Sequence, residues 1–404
     1  MNITRQISLQ IALTSSLPLL IATASAFADA PTLDPAEDLN RLPPAASSPL
    51  FWTPEQQVVG YRNADKLNPT RKIIAGGSVF PLPPAKVDLG DVQIRYEDIV
   101  MTTDEYFIRQ NVAGLLVIKN GKIAYERYGL GNTEDSLWIS FSVAKSVVSM
   151  LVGAAIEDGY IKSVDEKVTD YLPRLQGSSY SAATIRNIMQ MSSGVLWNED
   201  YADPQSDVAT VDWNTLRLFE TLGSKPRAAE PGEVFNYNTA ETNLVGTLLR
   251  SAIGNNLSTY LSEKIWQPFG MEADANWQLT EPGGGEFGGC CISATLRDYG
   301  RIGLFALHTT LHDGRLADGS QVLPERWMAE STSSSKGFAG YGYLWWLTET
   351  GNFEATGIFG QGIHINQSER VVIALHSARA LASKESDWGL QNALYAALTE
   401  ALSD

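Results

Sequence analysis

The sequence has little cysteine, little positive charge and few long hydrophobic runs. Of its 404 residues only Cys290 and Cys291 are cysteines, so neither a disulfide framework nor a thiolate zinc site is expected. Lys and Arg number 30 against 46 Asp plus Glu, and the net charge of −16 without a basic stripe disfavours nucleic acid as a partner. G-x-S-x-G, H-E-x-x-H, Walker and C-x-x-C motifs are absent, and the four histidines form no metal-site pattern. We therefore expect no metal, no cofactor and no α/β-hydrolase triad.

One long apolar run lies at the N-terminus and is typical of an export signal. Arg5 supplies positive charge, the apolar stretch extends from Ile7 to Ala24, and Ala26-Phe27-Ala28 is an A-x-A cleavage site. We predict a signal peptide over residues 1–28, and hence a periplasmic or secreted protein with no stable membrane insertion after its removal. The alternative is an uncleaved membrane anchor, which the polar residues and Pro18 within the run disfavour.

The remaining chain divides by composition and periodicity. Residues 29–95 are rich in Pro, Ala and Ser, which predicts an N-terminal arm laid over the folded body. Residues 96–160 and 290–404 predict an α/β domain, and residues 161–289, almost free of strand patterns, predict an inserted helical domain.

The predicted fold is α/β in the form of an α+β sandwich, an antiparallel sheet flanked by helices with an inserted all-helical lobe. Ala113–Lys119 and Lys122–Tyr128 are β-prone runs joined by Asn120-Gly121, the dipeptide of a type I′ hairpin turn. Four later strands are expected to pair with this hairpin, and a ligand site is expected in the crevice between the lobes. The later strands and the last helix are predicted at Tyr341–Leu347, Phe353–Ile358, Gly362–Asn366, Arg370–His376 and Trp388–Leu402.

The tetrad Ser142-Val143-Ala144-Lys145 begins a helix that is apolar around most of its circumference and extends to Asp158. The serine would lie at the helix N-terminus, with the lysine one turn deeper on the same face. A lysine buried among apolar residues can stay neutral and accept the serine proton, which makes the serine a nucleophile. The alternative for Ser142 and Lys145 is a helix cap with a lysine that reaches solvent.

Ser-x-x-Lys on a buried helix, followed by a tyrosine motif after a helical lobe and by a late Gly-rich strand, resembles the superfamily of serine β-lactamases, penicillin-binding proteins and class C-like esterases. This resemblance spans roughly Asp98 to Leu402. It implies that Tyr237 in Phe235-Asn236-Tyr237 completes the catalytic group, relaying a proton with a pKa lowered by the adjacent Lys145. On its own Tyr237 would be an ordinary core tyrosine. The family often has Asn two residues further on, where Thr239 stands here.

The resemblance also implies a third motif, at Ala355-Thr356-Gly357, where β-lactamases have Lys-Thr-Gly. Without the lysine, the carboxylate of a β-lactam would lack its cationic partner. Gly357 would let substrate lie close to the strand, and the backbone amides of Ser142 and Ile358 would form the oxyanion hole.

A narrower set of matches resembles the 6-aminohexanoate-dimer hydrolases, the nylon-oligomer amidases of this superfamily. The matches are Phe141–Ser146, Glu199–Pro204, Phe235–Tyr237, Gly357–Gln361 and Trp388–Gln391.

This narrower resemblance implies substrate-binding roles, for each of which a structural role is the alternative. Tyr201 would close over the amide, Asp212 would lie near a free ammonium, and Trp346 would form an aromatic wall. Tyr201 and Asp212 could equally be solvated loop residues, and Trp346 a core residue. Gly289 stands where those amidases have an amide side chain.

The chemistry of the adjacent cysteines is open at the sequence level. Cys290 and Cys291 could form a disulfide in an oxidising compartment, but we expect buried free thiols.

Together these features predict an exported serine hydrolase that forms an acyl-enzyme on Ser142 and cleaves a small linear amide, such as a 6-aminohexanoate oligomer. Its partner would be the small-molecule amide or ester substrate, and the sequence does not define an oligomeric state. One alternative is a class C-like carboxylesterase acting on short acyl esters. Another is a catalytically silent envelope-binding module.

Overall fold

A computed structural model describes residues 32–44 and 47–403. The predicted signal peptide, residues 1–28, lies outside these residues. The described residues contain twelve strands: β1 Thr70–Ile73, β2 Gln93–Tyr96, β3 Ile99–Thr102, β4 Val112–Lys119, β5 Lys122–Tyr128, β6 Trp138–Ile139, β7 Ala275–Gln278, β8 Ile292–Ala294, β9 Trp346–Leu347, β10 Phe353–Gly357, β11 Gln361–Asn366 and β12 Val371–Ser377.

Fourteen α-helices accompany these strands in the described residues: α1 Pro54–Arg62, α2 Ala64–Leu67, α3 Thr103–Arg109, α4 Val143–Glu157, α5 Val168–Tyr171, α6 Ile185–Met189, α7 Asp207–Thr210, α8 Thr215–Ser224, α9 Thr239–Ile253, α10 Leu257–Leu261, α11 Gln267–Phe269, α12 Leu296–Leu311, α13 Trp327–Ser331 and α14 Glu385–Glu400. Short 3₁₀ turns lie at Pro35–Asn40, Pro49–Phe51, Pro173–Leu175, Ser179–Ala182 and Ile358–Gly360, and a π turn at Ser262–Trp266.

The main sheet has six antiparallel strands in the order β5-β4-β12-β11-β10-β9. The predicted hairpin is confirmed: Asn120 and Gly121 both have positive φ, 51° and 74°, as a type I′ turn requires. The late strands pair with the hairpin through β12 and β4, as expected. The flanked antiparallel sheet therefore confirms the predicted fold class.

Both faces of the main sheet are covered by helices. Alternate residues of each strand point to opposite sides and so contribute to two different cores. On β4, Leu116 and Ile118 belong to the core beneath α4 and α12, whereas Leu115 and Val117 pack with the apolar residues of α14. Helix α4, apolar around most of its surface, lies at the centre of the larger core and joins the sheet to the helical region built around α9.

A second sheet of four strands, in the order β1-β7-β8-β6, was not predicted. Its strands have two to four residues, too short to give a clear alternating pattern. Strand β7 lies within the range predicted as helical, and β1 within the predicted arm. Strand pairing thus ties the N-terminal segment into the folded body. The predicted domain boundaries stay predictions.

The predicted strand Tyr341–Leu347 is wrong for most of its length, because only Trp346–Leu347 pairs in the sheet. Leu344 has a positive φ of 61°, which turns the chain out of the extended conformation. Among the described residues, no helix is long and apolar enough to cross a membrane.

Candidate active site

Ser142 lies at the first turn of α4, where β6 leads into the helix. Its φ and ψ of −70° and −5° are already helical, and its hydroxyl makes no capping bond to the backbone. The preceding Phe141 has a φ of 44°, an unusual conformation for a bulky residue. Phe141 is held there by the ring of Tyr61, 5.0 Å away between centroids. The turn therefore leaves the Ser142 hydroxyl free for chemistry.

Lys145 is buried to 1% exposure and points at Ser142. Its Nζ lies 2.9 Å from Ser142 Oγ, 3.0 Å from Thr239 Oγ1 and 2.7 Å from the carbonyl oxygen of Gly289. Burial lowers the pKa of Lys145 to about 7, and the charge of Glu199 acts in the opposite direction. A neutral amine is therefore accessible near neutral pH, as a base for Ser142 must be.

Tyr237 lies beside this pair, with its ring centroid 5.2 Å from Lys145 Nζ. The expectation of a lowered pKa is wrong: burial raises the pKa of Tyr237 well above its usual range, although its hydrogen bond with Ser142 lowers it. Tyr237 thus remains a protonated donor rather than a phenolate.

Glu199 and Thr239 form a hydrogen-bond network behind Lys145 that sequence reasoning missed. Thr239 donates to Glu199 through its hydroxyl and, at 3.0 Å, through its backbone N–H. The Tyr201 hydroxyl and the Trp197 indole N–H also donate to Glu199. Glu199 stands in one of the matched motifs, but nothing in that motif indicates its partners. Thr239, which stands where the family often has Asn, therefore takes part in the site through its hydroxyl group.

The other side of the site is the end of β10. A Cβ placed on Gly357 would lie 2.5 Å from the Ser140 carbonyl oxygen and 3.1 Å from the Ser142 nitrogen. Only glycine fits this approach. The following residue, Ile358, lines the same cavities as Ser142, and Phe359 has a φ of 61°. The segments that carry the Ser142 and Ile358 backbone amides therefore adjoin at the cleft, and the oxyanion hole formed by these two amides stays a prediction.

Ala355 is buried to 1% exposure and packs in the core with α4, whereas Glu354 and Thr356 line the cleft. Neither cavity at Ser142 is lined by Lys or Arg in the part of the chain that the structure describes. The described walls of these two cavities therefore offer no lysine or arginine to the carboxylate of a β-lactam.

Two cavities meet at Ser142. The smaller, of about 180 Å³, has mostly apolar walls that include Trp213, Phe287 and the cysteine pair. The larger, of about 880 Å³, is lined by Tyr237, Trp346 and the carboxyl groups of Glu199, Asp200 and Glu354, among others. Ser142 can thus reach a carbonyl group with substrate on both sides of it.

The predicted substrate residues differ in where they lie. Tyr201 lines both cavities and donates to Glu199 at 2.7 Å. Trp346 stands in the wall of the larger cavity and stacks on Tyr237 with centroids 5.7 Å apart. Asp212 is exposed, accepts a hydrogen bond from the Asn214 backbone, and lines neither cavity. The structure therefore brings Tyr201 and Trp346, but not Asp212, to the cleft.

The expectation of free thiols is wrong, because Cys290 and Cys291 form a disulfide. Cys291 has a φ of 80°, which lies in the left-handed region that is uncommon for residues other than glycine. The disulfide lies in the wall of the smaller cavity, next to Gly289, whose carbonyl oxygen binds Lys145.

No group of three or more His, Cys, Asp or Glu residues that could hold a metal ion occurs in 32–44 or 47–403. The site brings the Ser142 hydroxyl together with the Lys145 amine and the Tyr237 phenol. A fold with a flanked antiparallel sheet and this site defines a serine hydrolase of the β-lactamase and penicillin-binding class.

Comparison with known proteins gives the same class. The sequence profile described as Beta-lactamase matches residues 106–396, more than half of the chain, so the protein belongs to this family. It is 28% identical over 338 residues to the 6-aminohexanoate-dimer hydrolase of Paenarthrobacter ureafaciens, a match covering 77% of this chain and 83% of that protein. A Beta-lactamase of Pseudomonas fluorescens is 26% identical over 180 residues, which cover 42% of this chain and 48% of that protein.

Solved structures share the fold. A Bacillus anthracis protein provisionally assigned as a 6-aminohexanoate-dimer hydrolase superposes with a TM-score of 0.77 at 22% identity, over 89% of this chain and 97% of its own. A class C β-lactamase superposes with a TM-score of 0.53 at 16% identity, over 73% and 94%. The protein is therefore a serine hydrolase of the β-lactamase superfamily, similar to 6-aminohexanoate-dimer hydrolases.

Proposed function

We propose that the protein hydrolyses small linear amides through an acyl-enzyme on Ser142. The observation that carries the proposal is the 2.9 Å contact between Ser142 Oγ and the buried Nζ of Lys145. Similarity to a 6-aminohexanoate-dimer hydrolase over most of the chain supports an amide of that kind as substrate. The complete set of Ser142, Lys145 and Tyr237 favours an enzyme over a catalytically silent binding module.

In the proposed acylation, Ser142 Oγ attacks the carbonyl carbon while its proton passes to neutral Lys145. The backbone amides of Ser142 and Ile358 stabilise the oxyanion. As the carbon–nitrogen bond breaks, the Tyr237 phenol donates a proton to the leaving nitrogen, and the proton held by Lys145 restores the phenol. The leaving amine departs and the acyl group remains on Ser142.

Deacylation repeats these steps with water as the nucleophile. A water molecule gives a proton to Lys145 and attacks the acyl carbon in the same oxyanion hole. The ester bond to Ser142 then breaks, and the serine oxygen regains a proton. The products are a carboxylic acid and an amine. Ser142, Lys145 and Tyr237 return to their starting protonation states.

The matched motifs also suggest how the amide is held. Tyr201, which lines both cavities, would hold the amide nitrogen, and its contribution would matter little for an ester, whose leaving group is easier to expel. Asp212 is adjacent to Trp213, which lines the smaller cavity, and would attract a terminal ammonium from outside the wall. Both roles are proposals that rest on the resemblance.

The test is to measure kcat/KM for a 6-aminohexanoate dimer and for p-nitrophenyl butyrate with the unmodified enzyme, Tyr201→Phe and Asp212→Ala. We expect both variants to lose activity on the amide and to keep most of it on the ester. Asp203→Ala, on the same loop but outside both cavity linings, is the control. Equal losses on both substrates, or cleavage of the ester alone by the unmodified enzyme, would instead favour the carboxylesterase.

We also propose that the protein is exported. The pattern of residues 1–28 supports this, and a disulfide between Cys290 and Cys291 is more common in oxidising compartments. Expression of the full chain in a Gram-negative host, followed by fractionation and N-terminal sequencing, tests it. The expected result is a periplasmic protein that begins at Asp29, and full-length protein retained in the cytoplasm would contradict export.

A further inference from the structure

Among the residues that the structure describes, four line both cavities at Ser142, and one of them comes from the N-terminal segment. The four are Leu50, Ser142, Tyr201 and Ile358. Leu50 belongs to a turn at 47–52, which lies far from the family region of 106–396 along the sequence. The wall between the cavities thus includes a residue that the family comparison does not cover.

The turn at 47–52 is held in place by hydrogen bonds and packing. Within it, Trp52 Nε1 donates to Ser47 Oγ at 2.8 Å, and the Leu50 N–H donates to Ser48 Oγ at 3.3 Å. The Trp52 ring covers Gly60 of α1 so closely that no Cβ fits there. The position of Leu50 is therefore fixed by packing and hydrogen bonds.

Helix α1 is itself anchored to the body by an ion pair between Arg62 and Asp38. The pair measures 2.7 Å, and the two side chains are exposed by only 6% and 3%. Arg62 also donates to the Leu130 carbonyl oxygen at 3.0 Å, which fixes the helix against the loop after β5.

The two cavities differ in chemistry, and this difference indicates which cavity takes the leaving group of the substrate and which takes its acyl chain. Tyr237, the proposed proton donor to the leaving group, lines only the larger cavity. The leaving group must therefore lie in the larger cavity, and the acyl chain in the smaller one. The walls of the smaller cavity are mostly apolar and suit an unbranched hydrocarbon chain; the apolar residues include Leu50, Ile139, Phe141, Trp213 and Phe287.

We propose that Leu50 is a specificity-determining residue, a partition between the two cavities that limits the length of the acyl chain in the smaller cavity. This inference rests on the proposed acyl-enzyme function. Shortening Leu50 would join the two cavities and admit longer acyl chains, whereas enlarging it would restrict the smaller cavity further. A difference of one or two methylene groups in an apolar pocket changes selectivity by about tenfold or more.

The experiment uses p-nitrophenyl acetate, butyrate and octanoate, which keep the leaving group constant. We expect Leu50→Ala to raise the ratio of kcat/KM for octanoate to that for butyrate by about tenfold, and Leu50→Phe to lower it. Leu39→Ala, the same change at a leucine of the same segment that is 64% exposed, should leave the ratio unchanged. Because the two Leu50 variants are expected to act in opposite directions, general damage to the fold cannot produce both results.

The possible failures are distinguishable. Active variants of Leu50 with the chain-length profile of the unmodified enzyme would overturn the partition and leave the proposed function intact. A change in selectivity among butyrate esters of different alcohols, without a change in acyl selectivity, would overturn the assignment of the acyl chain to the smaller cavity. Absence of hydrolysis and of phosphonate labelling at Ser142 in the unmodified protein would overturn the proposed function, and the partition with it.

Discussion

Lys145 and Glu199 are connected through a single hydroxyl group, that of Thr239. Lys145 Nζ lies 3.0 Å from Thr239 Oγ1, and the same hydroxyl donates to Glu199. Burial favours neutral Lys145, whereas the negative charge of Glu199 favours the ammonium form. Burial therefore lowers the pKa of the catalytic amine, and the charge of Glu199 offsets part of that lowering.

The first prediction concerns pH. With the pKa of Lys145 lowered to about 7, we expect kcat/KM to rise through pH 7 as the amine loses its proton, and then to level off. Glu199→Gln removes a charge that raises this pKa, so the rising limb should move to lower pH. Exposed Glu233→Gln is the control and should not move it. A limb that starts above pH 9, or one that is unchanged in Glu199→Gln, would contradict the assignment.

The second prediction is that Ser142, Lys145 and Tyr237 act as a unit. Ser142→Ala should abolish turnover with little change in melting temperature, because it removes the attacking oxygen and leaves the buried face of α4 unchanged. Lys145→Ala combined with Tyr237→Phe should lose little more than the worse single variant. Activity and thermal unfolding are measured together. Strictly additive losses would show that the two residues serve separate steps.

The third prediction is weak hydrolysis of penicillins. Neither cavity at Ser142 is lined by Lys or Arg in 32–44 or 47–403, so the β-lactam carboxylate lacks a charged hydrogen bond, which costs about 1.5–3 kcal/mol of recognition. Since Ala355 faces the core, Thr356 is the position from which a lysine reaches the cleft. Thr356→Lys should lower the KM for benzylpenicillin, and Thr356→Gln should not. Efficient penicillin hydrolysis by the unmodified enzyme would refute this account.

The fourth prediction concerns Glu241, which is buried in α9 and accepts a hydrogen bond from Tyr180 at 3.1 Å. Burial raises its pKa to about 8, so it stays protonated in the folded protein at pH values where the unfolded chain has lost the proton. The free energy of unfolding should therefore fall as pH rises from about 4.3 to 8.

Glu241→Gln has no carboxyl group to titrate, so its free energy of unfolding should not show this decrease. The difference in free energy of unfolding between the variant and the unmodified protein should therefore grow with pH across that interval, by on the order of a few kcal/mol. Denaturant unfolding at pH 5 and pH 8 measures the difference. Exposed Glu263→Gln should show no such trend. A constant difference between the two pH values would mean that Glu241 is already ionised in the folded state.

The fifth prediction concerns the cysteine pair. Because Cys290 and Cys291 are joined by a disulfide, iodoacetamide should add no label to the unfolded protein without reductant and two labels after reduction. Intact-mass measurement distinguishes the states. Two labels without reductant would restore the expectation of free thiols.

The sequence was sufficient to predict features that depend on neighbouring residues. The hairpin follows from Asn120-Gly121 between apolar runs, and the juxtaposition of Ser142 and Lys145 follows from helical spacing. Tyr237 and Ile358 required the resemblance, because they reach the site from distant parts of the chain. The predicted direction of the pKa shift of Tyr237 was wrong, because a motif does not indicate how deeply its tyrosine is buried.

The sequence could not indicate contacts that depend on tertiary packing between irregular segments. Leu50 lies in a Pro- and Ser-rich stretch without periodicity, and its place beside Ser142 follows from how Trp52 packs on α1. In the sequence, Thr239 and Gly289 stand out only as departures from a family pattern. Their contacts with Lys145 depend on the relative placement of α9 and the loop before β8.

The pairing of β4 with β12 has a consequence for the order in which activity is acquired during synthesis. The ion pair at the end of this pairing, Lys119 with Glu369, joins residues 250 positions apart in the chain. A nascent chain that has emerged only as far as α12 contains Ser142, Lys145 and Tyr237, but β10 and the Ile358 amide have not yet been made. Closing so long a loop is slow compared with forming local helices. Hydrolytic competence should therefore appear only when translation is almost complete, and a ribosome-bound fragment that lacks β10–β12 should be inert.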